Sequence, residues 1–567
     1  MINALDNYTP KKFGENGHVE YTWSNNIREN ICQFYFQLTR VSDNQFSSLE
    51  TQLRNLLTKL FVSKEDANIY YLTILYKMIA HTRDIVSGKG EYALTYMMIY
   101  VWYDYSSTLA MYALECLVTE KNGRHPYGSW KDIKKFCQFC FDKKHKLYID
   151  NIHPMITYAV KLMNKQLKTD YENIDEKISL VAKWVPRENS AFGWLFYLLA
   201  EDYFKEFMQT AITDESKTKA FRKCCTHYRK LLSTLNSKLD TLQIKQCDKR
   251  WSEINFNNVT SISLKNQTSA FLNKKKDSTY EKDRVLCAIN FQNFIDNKIK
   301  NNENIKGKRV SIVDFVKKAI SCNVDVDLLE KTILNSQWND NASQNNTLTK
   351  MIPMVDVSGS MEGDPIYAAI GLSIRIADKS MLGNRVMTFS AKPTWLNLDL
   401  FKDDFVKKVQ YVKKADWGAN TNFKAALLMI LNAIIQNKLS PEDVQDLVLV
   451  ILSDMQIDMA DKSVRNDKSL YEVIRLEYEN AGLKVWGRPY NPPHILFWNL
   501  RSTSGFPTLS TTKNTSMLSG FSPVLLNMFC DKGIEALNKL TPWDKLEESL
   551  NNIRYEPMVQ KLISTLG

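Results

Sequence analysis

Glycine and proline are scarce in this sequence, whose 567 residues include only 19 glycines and 15 prolines. Both counts fall well below the average usage of about 7% and about 5%. So few turn-forming residues argue against an all-β protein of many short strands and favour long helices. With 44% hydrophobic and 24% charged residues, bulk disorder is excluded. A chain of this length is expected to form roughly two to four domains.

Long apolar runs are also missing. No run of about 18 apolar residues occurs, so we predict no transmembrane helix; the most apolar stretch, residues 191–200, is followed by Glu201 and Asp202. The first residues lack the basic and apolar segments of a signal peptide. Without an export signal, the 10 irregularly spaced cysteines are expected to be reduced and mostly buried. We therefore expect an intracellular, cytoplasmic protein, or a virion-associated one if it is viral.

The net charge of +11 is distributed unevenly along the chain. Residues 1–350 contain 50 Lys and Arg against 39 Asp and Glu, whereas residues 351–567 contain 24 of each. Within the first part, residues 201–300 hold 19 basic against 12 acidic residues. The whole excess therefore lies in the first part of the chain, where it favours an acidic partner.

Between residues 32 and 334 the apolar residues recur at helical spacing. The predicted helices cover residues 67–80, 92–118 (one helix or two), 132–148, 153–167, 178–184, 192–208, 217–239 and 309–320. Short polar connectors between successive helices are typical of a helical-repeat array, although no clean sequence period is found. The polar, Asn-rich residues 334–349 are predicted as a linker. We thus expect a helical-repeat domain over residues 1–345, with an irregular or strand-like lead-in over residues 1–30.

After the predicted linker, apolar strands alternate with amphipathic helices. Strands are predicted at residues 351–356, 385–389, 446–452 and 495–499, and helices at residues 365–379, 423–436 and 469–481. This alternation is typical of a doubly wound α/β domain with a mostly parallel sheet, which binds ligands at the carboxyl ends of its strands. The second predicted domain, residues 346–567, is of this class and ends in helices.

Side chains whose oxygen atoms can bind a hard cation follow two of these strands. Asp356, Ser358 and Ser360 lie on the turn after the first strand, Thr421 lies in a loop before a helix, and Asp454 ends a long apolar strand. Because the ends of parallel strands meet at one edge of a sheet, these oxygens can converge on one Mg²⁺, or on Mn²⁺ or Ca²⁺. The alternative is a helix-capping turn without a metal, since Asp and Ser are good N-caps.

This pattern resembles the von Willebrand factor A domain and its metal-ion-dependent adhesion site, and the resemblance implies that Asp356, Ser358, Ser360, Thr421 and Asp454 hold the metal. A helical array followed by such a domain also resembles the Ro (TROVE) ribonucleoprotein family, in which HEAT-like helical repeats form a ring that binds RNA. That likeness implies a ring-shaped helical domain here.

A closer resemblance is to an uncharacterised family of plants, fungi and giant viruses, mimivirus among them. The segments that carry it are residues 83–91, 127–132, 182–188, 249–254, 356–365, 416–423 and 497–501. The family implies no biochemical activity that can be transferred, so it informs the fold more than the function.

A basic segment with interleaved aromatic residues, Phe221 and Tyr228, lies in the predicted helix over residues 217–239. Such a face can contact phosphates and stack on unpaired bases. The candidate RNA-binding residues are Lys217, Lys219, Arg222, Lys223, Arg229, Lys230, Lys249, Arg250, Lys274, Lys275 and Lys276. The alternative is a solvated helix face whose aromatic side chains turn towards the core.

Catalytic motifs are not found. Cys137, Cys140 and His145 lack the fourth ligand of a structural zinc site, and no histidine joins a Ser or Cys in a recognisable triad. The leading hypothesis is a non-enzymatic RNA-binding scaffold with a divalent-metal site for a protein partner that offers an acidic group. The alternatives are a metal-dependent protein-interaction module without RNA binding and, less well supported, a metal-dependent hydrolase.

Overall fold

The structure is a computed structural model. It describes residues 9–14, 19–40, 43–62, 67–145, 152–274, 281–323, 328–389, 393–415, 423–444, 446–456, 470–502, 505–530, 537 and 539–567. Its internal contacts divide the chain into two compact units. The sheet unit comprises Met1–Thr82, Val86–Leu94 and Asn304–Tyr555, and the helical unit comprises Arg83–Ile85, Thr95–Glu303 and Glu556–Gly567.

The sheet unit is built on a six-stranded mixed sheet. Its strands are β3 (Met351–Asp356), β4 (Arg385–Phe389), β5 (Thr394–Asn397), β6 (Val448–Ser453), β7 (His494–Asn499) and β8 (Thr515–Ser519). Their order is β5-β4-β3-β6-β7-β8, and all neighbouring pairs are parallel except β4 with β5, which is antiparallel. Strands β3, β6, β7 and β8 are buried along their whole length, as expected for parallel strands covered on both faces.

Helices of this unit precede and follow the sheet strands along the chain. They are α15 (Ile312–Ser321), α16 (Leu328–Ala342), α17 (Asp364–Lys379), α18 (Phe405–Lys413), α19 (Phe423–Gln436), α20 (Pro441–Val444), α21 (Leu470–Trp486) and α22 (Pro542–Leu550). Helix α17 packs on β3 and on α15. Gly371 permits this close approach, because a Cβ there would lie 2.2 Å from Ile312 Cγ2. The alternating α/β architecture predicted after residue 350 is therefore confirmed.

The N-terminal residues belong to the sheet unit as well. A short antiparallel pair, β1 (Lys11–Phe13) and β2 (Val19–Tyr21), precedes α1 (Ile27–Gln37), α2 (Asp43–Val62) and α3 (Ala67–Arg83). Asn26 caps α1 by accepting a hydrogen bond from Glu29 N at 3.0 Å, and α1 packs against β8 and α22. The division into units therefore does not coincide with the domain boundary predicted at residues 345/346, because nearly buried α1 needs the sheet to cover its aromatic side chains.

The linker prediction for residues 334–349 is wrong. Residues up to Ala342 belong to α16, and Asn341 and Asn345 are only 2% and 3% exposed. Both amides serve the buried side chain of Arg375, whose guanidinium donates to Asn345 Oδ1 at 2.9 Å and Asn341 Oδ1 at 3.0 Å. The polar composition reflects a buried hydrogen-bond network instead of a solvated connector.

The helical unit consists of short and medium helices with buried apolar faces. They are α4 (Ala93–Tyr105, of which Thr95 onwards belongs here), α5 (Ser107–Cys116), α6 (Lys131–His145), α7 (Pro154–Glu172), α8 (Val181–Trp184), α9 (Gly193–Tyr203), α10 (Lys205–Gln209), α11 (Asp214–Leu239), α12 (Leu242–Cys247), α13 (Ser261–Phe271), α14 (Lys282–Lys300) and α23 (Glu556–Leu566). Helix α7 packs on α6 and α9, and α9 packs on α11. The expected helical character is confirmed; a repeat or a ring stays a prediction.

The cysteines and the apolar segments also agree with expectation. Eight of the 10 cysteines are buried, and all 10 are free thiols. Burial raises the pKa of Cys137 and of Cys140, so both thiols stay protonated on the buried side of α6. Among the described residues, no helix combines the length and apolarity that crossing a membrane requires.

Candidate metal centre

Two buried aspartates lie side by side where the strand order of the sheet reverses. Asp356 is the last residue of β3, and Asp454 directly follows β6, its parallel neighbour. The chain leaves β3 for β4 on one side of the sheet, whereas β6 lies on the other side. This switch point opens a crevice at the carboxyl edge, the usual ligand position in a doubly wound sheet. Both carboxylates are 0% exposed.

The turn after β3 folds around the Asp356 carboxylate. Its Oδ1 accepts a hydrogen bond from Ser358 N at 2.9 Å, and its Oδ2 accepts one from Ser453 Oγ at 2.6 Å. The hydroxyl oxygens of Ser358 and Ser360 lie 3.0 Å apart. The structure thus brings together Asp356, both serines and, on the next strand, the loop that bears Asp454.

The two oxygens of the Asp454 carboxylate differ in their hydrogen bonding. Its Oδ1 accepts a hydrogen bond from Gln456 N at 3.2 Å, whereas its fully buried Oδ2 has no hydrogen-bond partner among the described residues. Burial, with the neighbouring charge of Asp454, raises the pKa of Asp356 to about 7 although Ser453 and Ser358 donate hydrogen bonds to it. Two buried carboxylates and two hydroxyls are a donor set that fits a hard divalent cation.

Arg501 holds the turn after β3 from the side of β7. Its guanidinium donates hydrogen bonds to the backbone oxygens of Ser360 and Glu362, the latter at 2.9 Å. The neighbouring Asp364 begins α17 and is bound by Arg40 and by Lys317, each at 2.6 Å. Burial tends to raise the pKa of Asp364, but these two cations lower it below its usual value. The acid is therefore an ion-pair partner at a helix N-terminus.

The other predicted loops of this edge cannot be compared. Thr421, Asp416 and Asp458 lie outside the described residues, so four of the five predicted ligands have a described geometry. Sequence reasoning missed Ser453, whose hydroxyl orients Asp356. The signal that could have identified Ser453 is its position: it immediately precedes Asp454, at the end of the strand that neighbours β3. Among the described residues no group of three or more His, Cys, Asp and Glu could hold a metal, so this candidate depends on serine oxygens.

The predicted basic face is present on α11 of the helical unit. Lys217, Lys219, Arg222, Lys223, Arg229 and Lys230 are all exposed. Some of their charge is locally paired, since Arg229 contacts Glu188 at 2.7 Å and Lys217 contacts Asp214 at 3.8 Å. Arg222 and Lys223 follow Lys219 by three and four residues, and Arg229 and Lys230 follow them by seven, so these five form one basic stripe along the helix.

The aromatic residues of this segment do not share the exposed face. Tyr228 is 0% exposed and donates a hydrogen bond to Asn164 Oδ1 at 3.0 Å. Phe221 is half-buried, with its ring centroid 5.6 Å from that of Tyr197. Tyr228 therefore supports the core, as the alternative interpretation of the segment expects.

The remaining basic candidates differ among themselves. Arg250 contacts Asp240 at 2.6 Å, Asp248 at 3.1 Å and Glu253 at 2.9 Å, so its charge is already compensated. Lys249 is exposed, with Glu281 at 4.0 Å. Lys274 is exposed as well, and Lys275 and Lys276 lie outside the described residues.

Two of the segments that carry the resemblance to the uncharacterised family meet in a buried ion pair of the helical unit. Arg83 donates to both carboxylate oxygens of Asp132, at 2.7 and 2.9 Å. Asp132 also accepts hydrogen bonds from Tyr96 Oη at 2.6 Å and from Ser129 N at 2.8 Å. Gly128 has no room for a Cβ, which would lie 2.5 Å from the Asp132 carboxylate. These residues have an architectural role.

Comparisons with known proteins match two separate segments of the chain. Residues 350–561 match a domain of unknown function, DUF7788, and residues 142–344 match a second domain of unknown function, DUF2828. The chain is also similar to an uncharacterised protein of Acanthamoeba polyphaga mimivirus, with 28% identity over 550 residues. The similarity covers 93% of this chain and 86% of the mimivirus protein. The predicted link to giant viruses is thereby supported.

Proposed function

We propose that the protein is a non-enzymatic scaffold that binds a partner through a divalent cation held at the carboxyl edge of its sheet. The observation that carries this proposal is the pair of fully buried aspartates, Asp356 and Asp454, with an unpartnered Asp454 Oδ2 among the described residues. A buried carboxylate without compensation is costly, and a cation would compensate both. This arrangement supports the likeness to the von Willebrand factor A domain.

Mg²⁺ is the cation we assign to the site, and Mn²⁺ and Ca²⁺ are the alternatives with the same preference for oxygen ligands. Asp356, Ser358, Ser360 and Asp454 would hold it, together with Thr421 as the resemblance implies. With so few charged groups, these residues would leave positions on the cation open to a partner's carboxylate. A bound cation would supply electrostatic attraction to that acidic group, and Arg501 keeps the loop in position.

Calorimetric titration of the full chain with MgCl₂ and MnCl₂ tests the metal site. We expect wild type to bind one cation, and Asp356→Asn and Asp454→Asn to lose that binding. Asp399→Asn is the matched control, because Asp399 is an acid of the same unit that pairs with Arg385 at the surface. Retention of full metal affinity by both site variants would refute the proposal, as would a wild type that binds neither cation.

The second component of the proposed scaffold is RNA binding by the helical unit, in the cytoplasm or, for a viral protein, in the particle. The specific observation in its favour is the exposed stripe on α11, formed by Lys219, Arg222, Lys223, Arg229 and Lys230. Unpaired phosphates of a single strand suit such a stripe, and binding would release counterions. The presence of a helical unit and an α/β sheet unit in one chain supports the likeness to Ro ribonucleoproteins.

Fluorescence anisotropy with a single-stranded 20-nucleotide RNA at several salt concentrations tests this component. The double variant Lys219→Gln/Lys230→Gln should bind more weakly and lower the salt slope by about 0.7 for each lost phosphate contact. Lys161→Gln/Lys165→Gln, two exposed lysines of α7 in the same unit, serves as the charge-matched control. Equal affinities for the two double variants would contradict the role of α11, and absence of binding at low salt would exclude RNA binding.

A further inference from the structure

A groove lined with amide side chains lies in the helical unit. It has a volume of about 460 Å³, within the usual range of ligand sites. One wall is α14, which presents Asn290, Asn293 and Asn297, followed by Asn301 at its C-terminal cap. These positions are three or four residues apart, so they share one helix face. The opposite wall is the turn that carries Asn255 and Asn257.

Most of the amides on the helix wall are available to a ligand. Asn293, Asn297 and Asn301 are exposed and make no side-chain hydrogen bond to any residue that the structure describes. Asn290 uses its Nδ2 to donate to Ser252 O at 3.0 Å, which leaves its Oδ1 as an acceptor. Each free amide offers both donors and an acceptor. The groove therefore fits a ligand whose edge alternates donors and acceptors.

An aromatic ring lies among these amides. Phe294 follows Asn293 on the same side of α14 and is half-buried in the groove. Its ring centroid is 5.7 Å from that of buried Phe256, which packs against it. Lys298 Nζ lies over the ring, 5.9 Å from its centroid, and a planar group that stacks there would take the place of this contact.

Charge in the groove is balanced. The two ionised residues that line it are Lys298 and Glu303, and they contact each other at 2.5 Å. A phosphate or a carboxylate would find no free cation among the described lining residues, so the groove does not select an anionic group. Its chemistry is that of a neutral, planar, hydrogen-bonding ligand.

We propose that this groove is a subsite for one unpaired nucleobase, with adenine as the best match. Asparagine amides pair bidentately with the N6 and N7 edge of adenine, and base stacking on an aromatic ring is typical of single-strand recognition. The subsite deepens the proposed RNA function and rests on it: the stripe on α11 attracts the phosphate backbone, whereas the groove reads a base.

Two labelled 12-nucleotide probes separate these contributions. One is an oligoadenylate, and the other is an abasic oligomer of the same length and charge. Wild type should bind oligoadenylate roughly tenfold more tightly than the abasic oligomer. Asn293→Ala/Asn297→Ala should abolish that preference and leave affinity for the abasic oligomer unchanged. Asn266→Ala, an exposed asparagine of α13 outside the groove, should keep the preference.

The possible outcomes distinguish the subsite from RNA binding in general. Equal affinity of wild type for the two probes would overturn the subsite and leave backbone binding by α11 intact. A preference that persists in Asn293→Ala/Asn297→Ala would place base recognition elsewhere and also overturn the assignment. No binding of either probe at low salt would refute the RNA function and the subsite together. Circular dichroism of the double variant checks that its fold is unchanged.

Discussion

Replacing Arg375 by methionine should destabilise the sheet unit strongly. Arg375 is 0% exposed in α17, and its guanidinium donates to Asn341 O at 3.1 Å as well as to the side chains of Asn341 and Asn345. It also lies 4.2 Å from the ring centroid of Trp338. The side chain thereby connects α17 to the segment that the sequence predicted as a linker.

The magnitude follows from what the substitution leaves behind. Hydrogen bonds from a charged donor contribute about 1.5–3 kcal/mol each, and an acceptor left without a partner costs about 1–3 kcal/mol. The cost of burying the charge partly offsets this loss. Burial lowers the pKa of Arg375 to about 9, although Asp378 opposes that shift. We therefore expect Arg375→Met to lower the free energy of unfolding by roughly 3 kcal/mol.

Guanidinium chloride unfolding, followed by near-ultraviolet circular dichroism, measures this effect. Arg488→Met is the matched control, since Arg488 makes a bidentate ion pair with Glu442 in which both side chains are 55% exposed. Exposed pairs of this kind contribute only about 0–1 kcal/mol. Equal destabilisation by the two substitutions would refute the reasoning, because a buried network and a surface pair would then be equivalent.

Three other outcomes are expected. Burial lowers the pKa of His81 to about 3 from 6.5, so stability should be lost as pH falls from 6.5 towards 3, by up to about 1.4 kcal/mol per pH unit; equilibrium unfolding should show no such slope for His81→Gln. Asp132→Asn should destabilise the helical unit by roughly 3 kcal/mol in thermal melts, because Arg83 is left buried with a neutral partner; an unchanged melt would contradict the architectural role. Arg501→Ala should weaken Mn²⁺ binding about tenfold without changing metal-free stability, and Arg501→Lys should recover part of the affinity in the same titration; equal metal affinity in all three proteins would exclude a positioning role.

Local patterns predicted the sheet well. Strands β3 and β4 and helix α19 have the predicted bounds, and β6 and β7 begin and end within two residues of theirs. Apolar runs bounded by acids identify buried parallel strands, since only these are covered on both faces. The same logic placed Asp356 and Asp454 at one edge, which the strand pairing confirms.

Contacts between residues far apart in the sequence could not be predicted. The packing of α1 on β8 joins residues almost 500 positions apart, and no local periodicity reports it. Asn341 and Asn345 were predicted as linker residues because asparagine favours loops; only the burial of Arg375, on another helix, explains their position. Strand β5 was missed because it is a short, half-exposed edge strand, which lacks a continuous apolar run.

Crystals grown with MnCl₂ test the central claim most directly. The account predicts one anomalous difference peak at the carboxyl edge of the sheet, within about 2.0–2.6 Å of the Ser358 and Ser360 hydroxyl oxygens. Asp356 and Asp454 should lie on the same peak, directly or through bound water. A map without a peak there, in crystals of wild type with Mn²⁺ in excess, would contradict the metal site and the function built on it.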